Sequence, residues 1–184
     1  MAEHSAAVIQ NMCLSVHESR EAIMNSACVT GLVDLLKSAK GQEAECAAGA
    51  LRNVCISFPA GCEVVVHAGA VAVLVGLLHS GKGEEAENAA AALQNICIAS
   101  HAGREAVVRT GGITGLVDLL KSAKGQEAEC AAGALRNVCI SYPAGREAVM
   151  QAGGLAHLVG LLGSVKGQEA ENAVGALSNA CLSL

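Results

Sequence analysis

Apolar positions recur along this chain with the spacing of amphipathic helices. In residues 31–40, GLVDLLKSAK, apolar side chains occupy positions i, i+3, i+4 and i+7, at Leu32, Leu35, Leu36 and Ala39. The same spacing continues over residues 43–58, at Ala44, Ala47, Ala48, Leu51, Val54, Cys55 and Phe58. Pro59 and Gly61 then interrupt the pattern, and a short third segment spans residues 62–68 before Gly69. The pattern predicts three helices in succession, two of them longer and one short.

The pattern repeats every 42 residues. Five asparagines mark the interval, at Asn11, Asn53, Asn95, Asn137 and Asn179. A longer copy is superimposed on it, because residues 31–57 are identical to residues 115–141 at all 27 positions. The sequence therefore predicts one continuous domain. It contains a partial repeat, a third helix only, at 1–16, and full repeats at 17–58, 59–100, 101–142 and 143–184.

Composition indicates how these helices pack. Of the 184 residues 52% are hydrophobic, but the chain has only one Phe, one Tyr and no Trp. A core built from Leu, Val, Ile, Ala and Cys favours helices that lie close together. Successive helical units of this kind are typical of a stacked α-solenoid, in which each repeat contacts only its neighbours.

At this level of detail the sequence resembles the armadillo repeat family over its whole length. The shared features are the 42-residue period, the LVxLL-like second helices and the ALxN of the third helix, as in Ala50, Leu51 and Asn53. A glycine also separates the first helix from the second, at Gly69, Gly111 and Gly153. The resemblance implies an all-α, right-handed α-solenoid of stacked three-helix armadillo repeats. HEAT repeats, which have two helices per unit, fit less well.

One residue departs from the family pattern. Ala27 stands where the 42-residue period places the glycine between the first and second helices. We therefore expect the first turn between these helices to be distorted.

The predicted third helix carries a polar stripe. Counting back from Asn53, the residues Gly49, Cys46 and Gln42 share its face, and equivalent residues recur in each repeat. We expect the stripe to lie apart from the apolar face and to line one inner groove when the repeats stack. The candidate peptide-binding residues on or beside this stripe are Asn11, Asn53, Asn95, Asn137, Asn179, Arg52, Gln94, Arg136, Cys46, Asn88, Cys130 and Asn172.

A ladder of asparagine amides can pair with the backbone of an extended peptide, which exposes a donor and an acceptor at regular intervals. The resemblance implies this role, since third-helix asparagines of armadillo proteins hold the main chain of the ligand. Importin-like members also carry a tryptophan four residues before the asparagine. Here those positions are Ala7, Gly49, Ala91, Gly133 and Gly175, which disfavours recognition of nuclear localisation signals by that mechanism.

Each candidate also has a structural interpretation. The asparagines can instead hydrogen-bond between neighbouring third helices and fix their stacking. The glycines of the stripe can serve close packing between helices. Arg52 and Arg136 suit the carboxylates of an acidic peptide, or they are solvated charges at the rim of the groove.

Charge and cysteine content limit the partners and the compartment. The net charge of −5 argues against nucleic-acid binding, and no apolar run approaches the roughly 20 residues that span a membrane. The first residues, MAEHSAAVIQNMC, lack the basic and apolar regions of a secretory signal. Nine cysteines, an odd number, are therefore expected to be reduced thiols in the cytoplasm, with the nucleus also possible.

Motifs for catalysis are not found in the sequence. The six histidines form no HxxxH or HxH pair, so no metal site is predicted, and neither a P-loop nor a nucleophile–base pattern occurs. We therefore expect no enzyme activity and no cofactor.

The sequence predicts a non-enzymatic module that binds an extended protein segment or peptide along the asparagine-lined concave groove. One alternative is an engineered or consensus-like armadillo scaffold without a selected ligand, which the exact 27-residue duplication favours. Another is a structural assembly module that forms a head-to-tail homo-oligomer through uncapped terminal helices, because solenoids usually need polar caps for solubility.

Overall fold

A computed structural model describes residues 26–38, 40–56, 59–80, 83–122, 124–163 and 167–181. These residues form eleven α-helices and no strand. The helices are α1 (Ser26–Ser38), α2 (Gln42–Cys55), α3 (Pro59–His67), α4 (Ala70–Ser80), α5 (Glu84–Ala99), α6 (His101–Arg109), α7 (Gly112–Ser122), α8 (Gln126–Val138), α9 (Pro143–Gln151), α10 (Gly154–Leu162) and α11 (Gln168–Cys181).

The helices stack in layers. The third helices of successive units, α2, α5, α8 and α11, pack on one another more extensively than any other set, and we call them the third-helix layer. The second helices α1, α4, α7 and α10 stack alongside them, and the short helices α3, α6 and α9 connect each third helix to the next second helix. Each unit contacts its neighbours along the stack, which confirms the predicted all-α solenoid.

Small side chains form most of the contact between third helices. In α2 every residue from Cys46 to Cys55 is buried except Arg52, and α8 is buried to a similar degree. Alanines on faces that contact a neighbouring helix let the helix axes approach closely. Leu51, Leu93 and Leu135 are fully buried at equivalent positions, so the same core contact recurs in each unit.

Most helix boundaries follow the predicted order, with local differences. The predicted helix over 43–58 begins at Gln42 and ends at Cys55, where the N–H of Ile56 turns back to the carbonyl of Asn53. Residues 57 and 58 lie outside the described part of the chain. The short helix begins at Pro59 instead of residue 62, because proline fits the first turn of a helix, whose N–H groups have no partner within the helix.

Glycines make the turn between the first and second helices. Gly69, Gly111 and Gly153 have φ values of +76°, +77° and +74°, a left-handed conformation that glycine adopts without a Cβ penalty. Ala27, at the equivalent position, lies inside α1, which starts two residues earlier in the period than α4 does. The turn that was expected to be distorted lies outside the described residues.

No single helix in the described ranges is long and apolar enough to cross a membrane. Helices α3 and α4 reach that length and apolar content only as a pair, and they meet at an 85° bend.

Two other glycines allow the short helix to approach the third helix before it. A Cβ on Gly103 would lie 2.6 Å from the backbone oxygen of Ile96, and a Cβ on Gly145 would lie 2.5 Å from that of Val138. These contacts are with backbone, which cannot move without shifting a helix. The crossing between these helices therefore requires glycine at both positions.

We predict that Gly103→Ala lowers the free energy of unfolding by about 1–3 kcal/mol, because the added methyl overpacks a backbone contact. Gly76→Ala is the matched control: Gly76 lies within α4, and a Cβ there would meet no atom within 4 Å. This control should raise the free energy of unfolding by roughly 0.5–1 kcal/mol through helix propensity. Urea denaturation followed by circular dichroism measures both, and equal effects would contradict the close-approach explanation.

Candidate functional site

Asparagine side chains link neighbouring third helices. Nδ2 of Asn137 donates to the carbonyl oxygen of Gln94 at 3.1 Å, and Nδ2 of Asn179 donates to that of Arg136 at 3.1 Å. Two further asparagines, two turns earlier in their helices, make the same kind of bond. Asn88 donates to the carbonyl of Glu45 at 3.4 Å, and Asn172 donates to that of Glu129 at 3.3 Å. Each bond spans 43 residues and joins two consecutive repeats.

Burial of the stripe differs from the prediction. Asn53, Asn88, Asn137 and Asn172 are only 3–6% exposed, so the expectation that the stripe lies apart from the core is wrong for these residues. The reason is that neighbouring third helices pack against this face and use its amides as donors. The structural interpretation of Asn88, Asn137, Asn172 and Asn179 is thus realised. Peptide contact by any of them stays a prediction, and Asn11 lies outside the described residues.

Asn95 differs from the other members of the ladder. It is half-buried, and within the described ranges its side chain makes no hydrogen bond. Its backbone oxygen accepts the thiol hydrogen of Cys62 at 3.6 Å. Asn95 therefore keeps its side-chain donors and acceptor available near the middle of the third-helix layer.

Long side chains of one repeat cover the glycines of the next. A Cβ on Gly133 would lie 2.5 Å from Nε2 of Gln94, and a Cβ on Gly175 would lie 2.6 Å from Nε of Arg136. Gln94 and Arg136 thus extend across the surface of the following third helix. The glycines four residues before the asparagines accommodate these side chains.

The two arginines beside the asparagines are held by the next repeat. Nη1 of Arg52 donates to Oδ1 of Asn88 at 3.1 Å and lies 3.9 Å from a carboxylate oxygen of Glu87. Nη1 of Arg136 donates to Oδ1 of Asn172 at 3.4 Å. Both guanidinium groups therefore have partners within the protein, which weakens the interpretation that they wait for acidic side chains of a ligand.

Cys46 and Cys130 are buried within the stripe. Nε2 of Gln42 and Nε2 of Gln126 lie 3.6 Å from their respective sulfur atoms, as donors one turn earlier in the helix. Burial raises the pKa of the Cys130 thiol, which keeps this group protonated and weakly nucleophilic at neutral pH. Neither thiol presents much surface to a ligand.

Negative charge is concentrated in the third-helix layer. Its four helices contain nine glutamates and two arginines, a formal charge of −7, whereas the whole chain carries −5. All nine glutamates lie in the first turns of these helices, where the helix dipole favours anions. They form an acidic ridge along one edge of the layer: Glu43, Glu45, Glu84, Glu85, Glu87, Glu127, Glu129, Glu169 and Glu171.

Carboxylates of the acidic ridge interact across repeats. Burial and the neighbouring Glu84 raise the pKa of Glu45, and burial and the charge of Glu129 raise the pKa of Glu169. Such shifts mean that like charges on adjacent third helices are close enough to disfavour ionisation. These glutamates are not among the residues predicted from the sequence, although eight of the nine recur at fixed places in the 42-residue period and could have been identified from it.

In the described ranges, no group of three or more His, Cys, Asp or Glu side chains is arranged to hold a metal ion.

Comparisons with known proteins agree with this architecture. The Armadillo/beta-catenin-like repeat family matches residues 59–98 and 143–182. An engineered protein of known structure is 33% identical, with a TM-score of 0.91, and the match covers 97% of this chain and 72% of that one. A computationally designed armadillo repeat protein for modular peptide recognition is 25% identical, with a TM-score of 0.90 and coverage of 96% and 74%.

A natural armadillo-repeats-only protein from Plasmodium falciparum has the same fold, with 22% identity, a TM-score of 0.81 and coverage of 97% and 79%. No curated protein matches the sequence.

The fold and the repeat geometry define a right-handed α-solenoid of stacked three-helix repeats. The chain belongs to the armadillo repeat family, which confirms the resemblance seen in the sequence. Armadillo repeat proteins are generally non-enzymatic binding scaffolds.

We predict that Asn137→Ala lowers the free energy of unfolding by roughly 0.5–1.5 kcal/mol, because it removes the hydrogen bond to the Gln94 carbonyl. Asn95→Ala, at the equivalent position in the preceding repeat, should change it by less than about 0.5 kcal/mol. Thermal and urea denaturation of the two variants provide the comparison. Equal destabilisation would show that the bond across the repeats is not what distinguishes these asparagines.

Proposed function

We propose that this chain is a non-enzymatic protein-interaction module whose third-helix layer binds an extended peptide segment. The observation that carries the proposal is the available amide of Asn95, half-buried within a layer of polar side chains. An amide offers a donor and an acceptor, which is the pairing that an extended main chain needs. The designed armadillo protein for modular peptide recognition, at 25% identity, supports the same use of the fold.

The charge of the layer favours a basic segment. The acidic ridge repeats along the stack, so lysine or arginine side chains of an extended partner meet carboxylates in successive repeats. Arg52 and Arg136, the cations of the layer, are already hydrogen-bonded to Asn88 and Asn172. A basic partner therefore gains attraction from the ridge without displacing these bonds, whereas an acidic partner meets a layer of net charge −7.

The two parts of the site contribute differently to binding. Charge attraction between an exposed ridge and a peptide is screened by salt. A hydrogen bond between Asn95 and the peptide backbone depends much less on ionic strength. Salt titration consequently separates recognition of side-chain charge from recognition of the main chain.

We predict that a lysine- and arginine-rich peptide binds, while glutamate-rich and glycine–serine peptides of equal length do not.

Asn95→Ala should weaken binding roughly 5- to 10-fold at all salt concentrations, equivalent to one hydrogen bond of about 1 kcal/mol. The double change Glu129→Gln and Glu171→Gln should weaken binding mainly at low salt. Fluorescence anisotropy with labelled peptides measures these affinities. Binding should also weaken on acidification, because the ridge loses charge as its carboxyls become protonated.

The matched control neutralises two exposed glutamates outside the third-helix layer, Glu63→Gln on α3 and Glu105→Gln on α6. It changes the net charge by the same amount and should leave binding unchanged. Equal loss in both double variants would mean that net charge alone attracts the peptide. No binding by any peptide class would favour a consensus-like scaffold without a selected ligand, for which the similarity to an engineered protein is the supporting observation.

A second candidate function is assembly with another copy of the chain. Val159, Leu162 and Val174 on α10 and α11 are 56%, 42% and 54% exposed. Their equivalents in the three preceding repeats are at most 6% exposed, because the following repeat covers them: Val33, Val75, Val117, Leu36, Leu78, Leu120, Ala48, Ala90 and Ala132. The exposed face thus has the chemistry of a repeat–repeat contact and fits a further armadillo repeat.

We predict that the protein self-associates head to tail, with a weight-average mass that keeps rising with concentration, since a heterologous contact does not close by itself. Sedimentation equilibrium measures this rise. Val159→Asp should abolish it, whereas Ile98→Asp, at a side chain 61% exposed on α5, should not. A monomer at all concentrations would exclude this function.

A further inference from the structure

One repeat differs from the others at the start of its short helix. The 42-residue period places arginine at Arg20, Arg104 and Arg146, but Cys62 at the remaining equivalent position. In the sequence, GCE at 61–63 replaces the GRE of 103–105 and 145–147. The substitution brings a thiol to the junction between α2 and α3, where another cysteine ends the preceding helix.

The arginine closes the end of a third helix in a repeat that retains it. Nη1 of Arg104 donates to the carbonyl oxygen of Cys97, near the end of α5, at 2.7 Å. In the repeat with cysteine, the Cys62 thiol donates to the corresponding carbonyl of Cys55 at 3.5 Å. Cys62 therefore occupies the same place with a shorter side chain and a weaker donor.

The shorter side chain brings two buried thiols to one junction. Sγ of Cys62 lies 3.5 Å from the carbonyl oxygen of Cys55, and each thiol shifts the pKa of the other. At the equivalent position beside Cys97 stands Arg104, and beside Cys139 stands Arg146. The paired thiols are thus specific to the α2–α3 junction.

We propose that Cys55 and Cys62 form a reversible disulfide, a redox-sensitive link between α2 and α3, when the protein meets a hydroperoxide. This inference does not depend on peptide binding or on self-association.

The reaction balances with one hydroperoxide for each pair of thiols. The Cys62 thiolate attacks the terminal peroxide oxygen, the O–O bond breaks, and the released alkoxide or hydroxide takes up a proton. The Cys55 thiol then attacks the sulfur of the resulting sulfenic acid, an S–S bond forms, and water leaves with the Cys55 proton. Two thiols are oxidised, and the hydroperoxide is reduced to an alcohol, or to water when it is hydrogen peroxide, with a further water formed.

Electrostatics assign the roles of the two cysteines. The hydrogen bond from Cys55 lowers the pKa of Cys62, and the same bond together with burial raises the pKa of Cys55. Cys62 also lies in the first turn of α3, where the positive end of the helix dipole favours a thiolate. Cys62 is therefore the attacking thiolate, and Cys55 is the resolving thiol. By comparison, burial raises the pKa of Cys97 to about 12 and that of Cys139 to about 11, so these two react slowly.

The test uses the full chain with three cysteines changed to serine: the exposed Cys28 and Cys181, and Cys13, which lies outside the described residues. Substoichiometric and stoichiometric hydrogen peroxide are added to the folded protein, and the intact mass is measured after an acid quench, without alkylation. We expect a loss of about 2 Da, which fragmentation places within residues 55–62 and dithiothreitol reverses. The melting temperature should rise on the order of 5 °C, because the disulfide lowers the conformational entropy of the unfolded chain.

Cys62→Arg is the matched control, because it restores the residue that the period places at three other positions. This variant should fold, as circular dichroism will show, and should lose no mass. Addition of oxygen without loss of mass, or oxidation of Cys97 and Cys139 at the same rate, would overturn the proposal. So would an unchanged mass loss in the folded Cys62→Arg variant.

Discussion

Close stacking of the third helices is the constraint on which the rest of the structure depends. Each of α5 and α8 is buried on nearly every side, between the second helices and two neighbouring third helices, and α2 is buried to a similar degree. Only alanine and glycine allow that approach at so many positions, and it leaves the backbone carbonyls of one helix next to the side chains of the following helix. The asparagine bonds across repeats exist because the helices are this close, and they add polar interactions to a contact formed mostly by small apolar side chains.

The same closeness determines which polar groups remain for a partner. Asn137 and Asn179 donate to the preceding helix, and Arg136 covers Gly175 while it donates to Asn172. These groups are already engaged, so a ligand gains from them only if it replaces an existing bond. Asn95 makes no side-chain hydrogen bond within the described residues. In the acidic ridge, Glu45, Glu87 and Glu129 have side-chain partners of their own: Gln42, Arg52 and Gln126. The peptide-binding function proposed above therefore rests on the few polar groups of the layer that are not committed within the protein.

The sequence was sufficient to predict the fold but only part of the site. A strict 42-residue period with helical spacing, together with Gly69 and its equivalents, leads to stacked three-helix repeats without reference to coordinates. Periodicity places Asn137 on a particular face of its helix, but it does not say whether solvent or another helix covers that face. The position of Gln94 over Gly133 could not be predicted from the sequence either, because it depends on the distance between helices in adjacent repeats.

Differences between repeats carry more functional information than their similarities. Because stability in a solenoid is close to a sum over neighbouring repeats, each contact can be considered separately. The α8–α11 contact has two asparagine bonds, from Asn172 and Asn179, whereas the α5–α8 contact has the bond from Asn137, since Cys130 occupies the other position. The α2–α5 contact has the bond from Asn88, and Asn95 makes none within the described residues. Unequal bonding therefore leaves an available amide in the same repeat in which Cys62 replaces arginine. The two distinctive positions are in contact, because the Cys62 thiol donates to the backbone oxygen of Asn95.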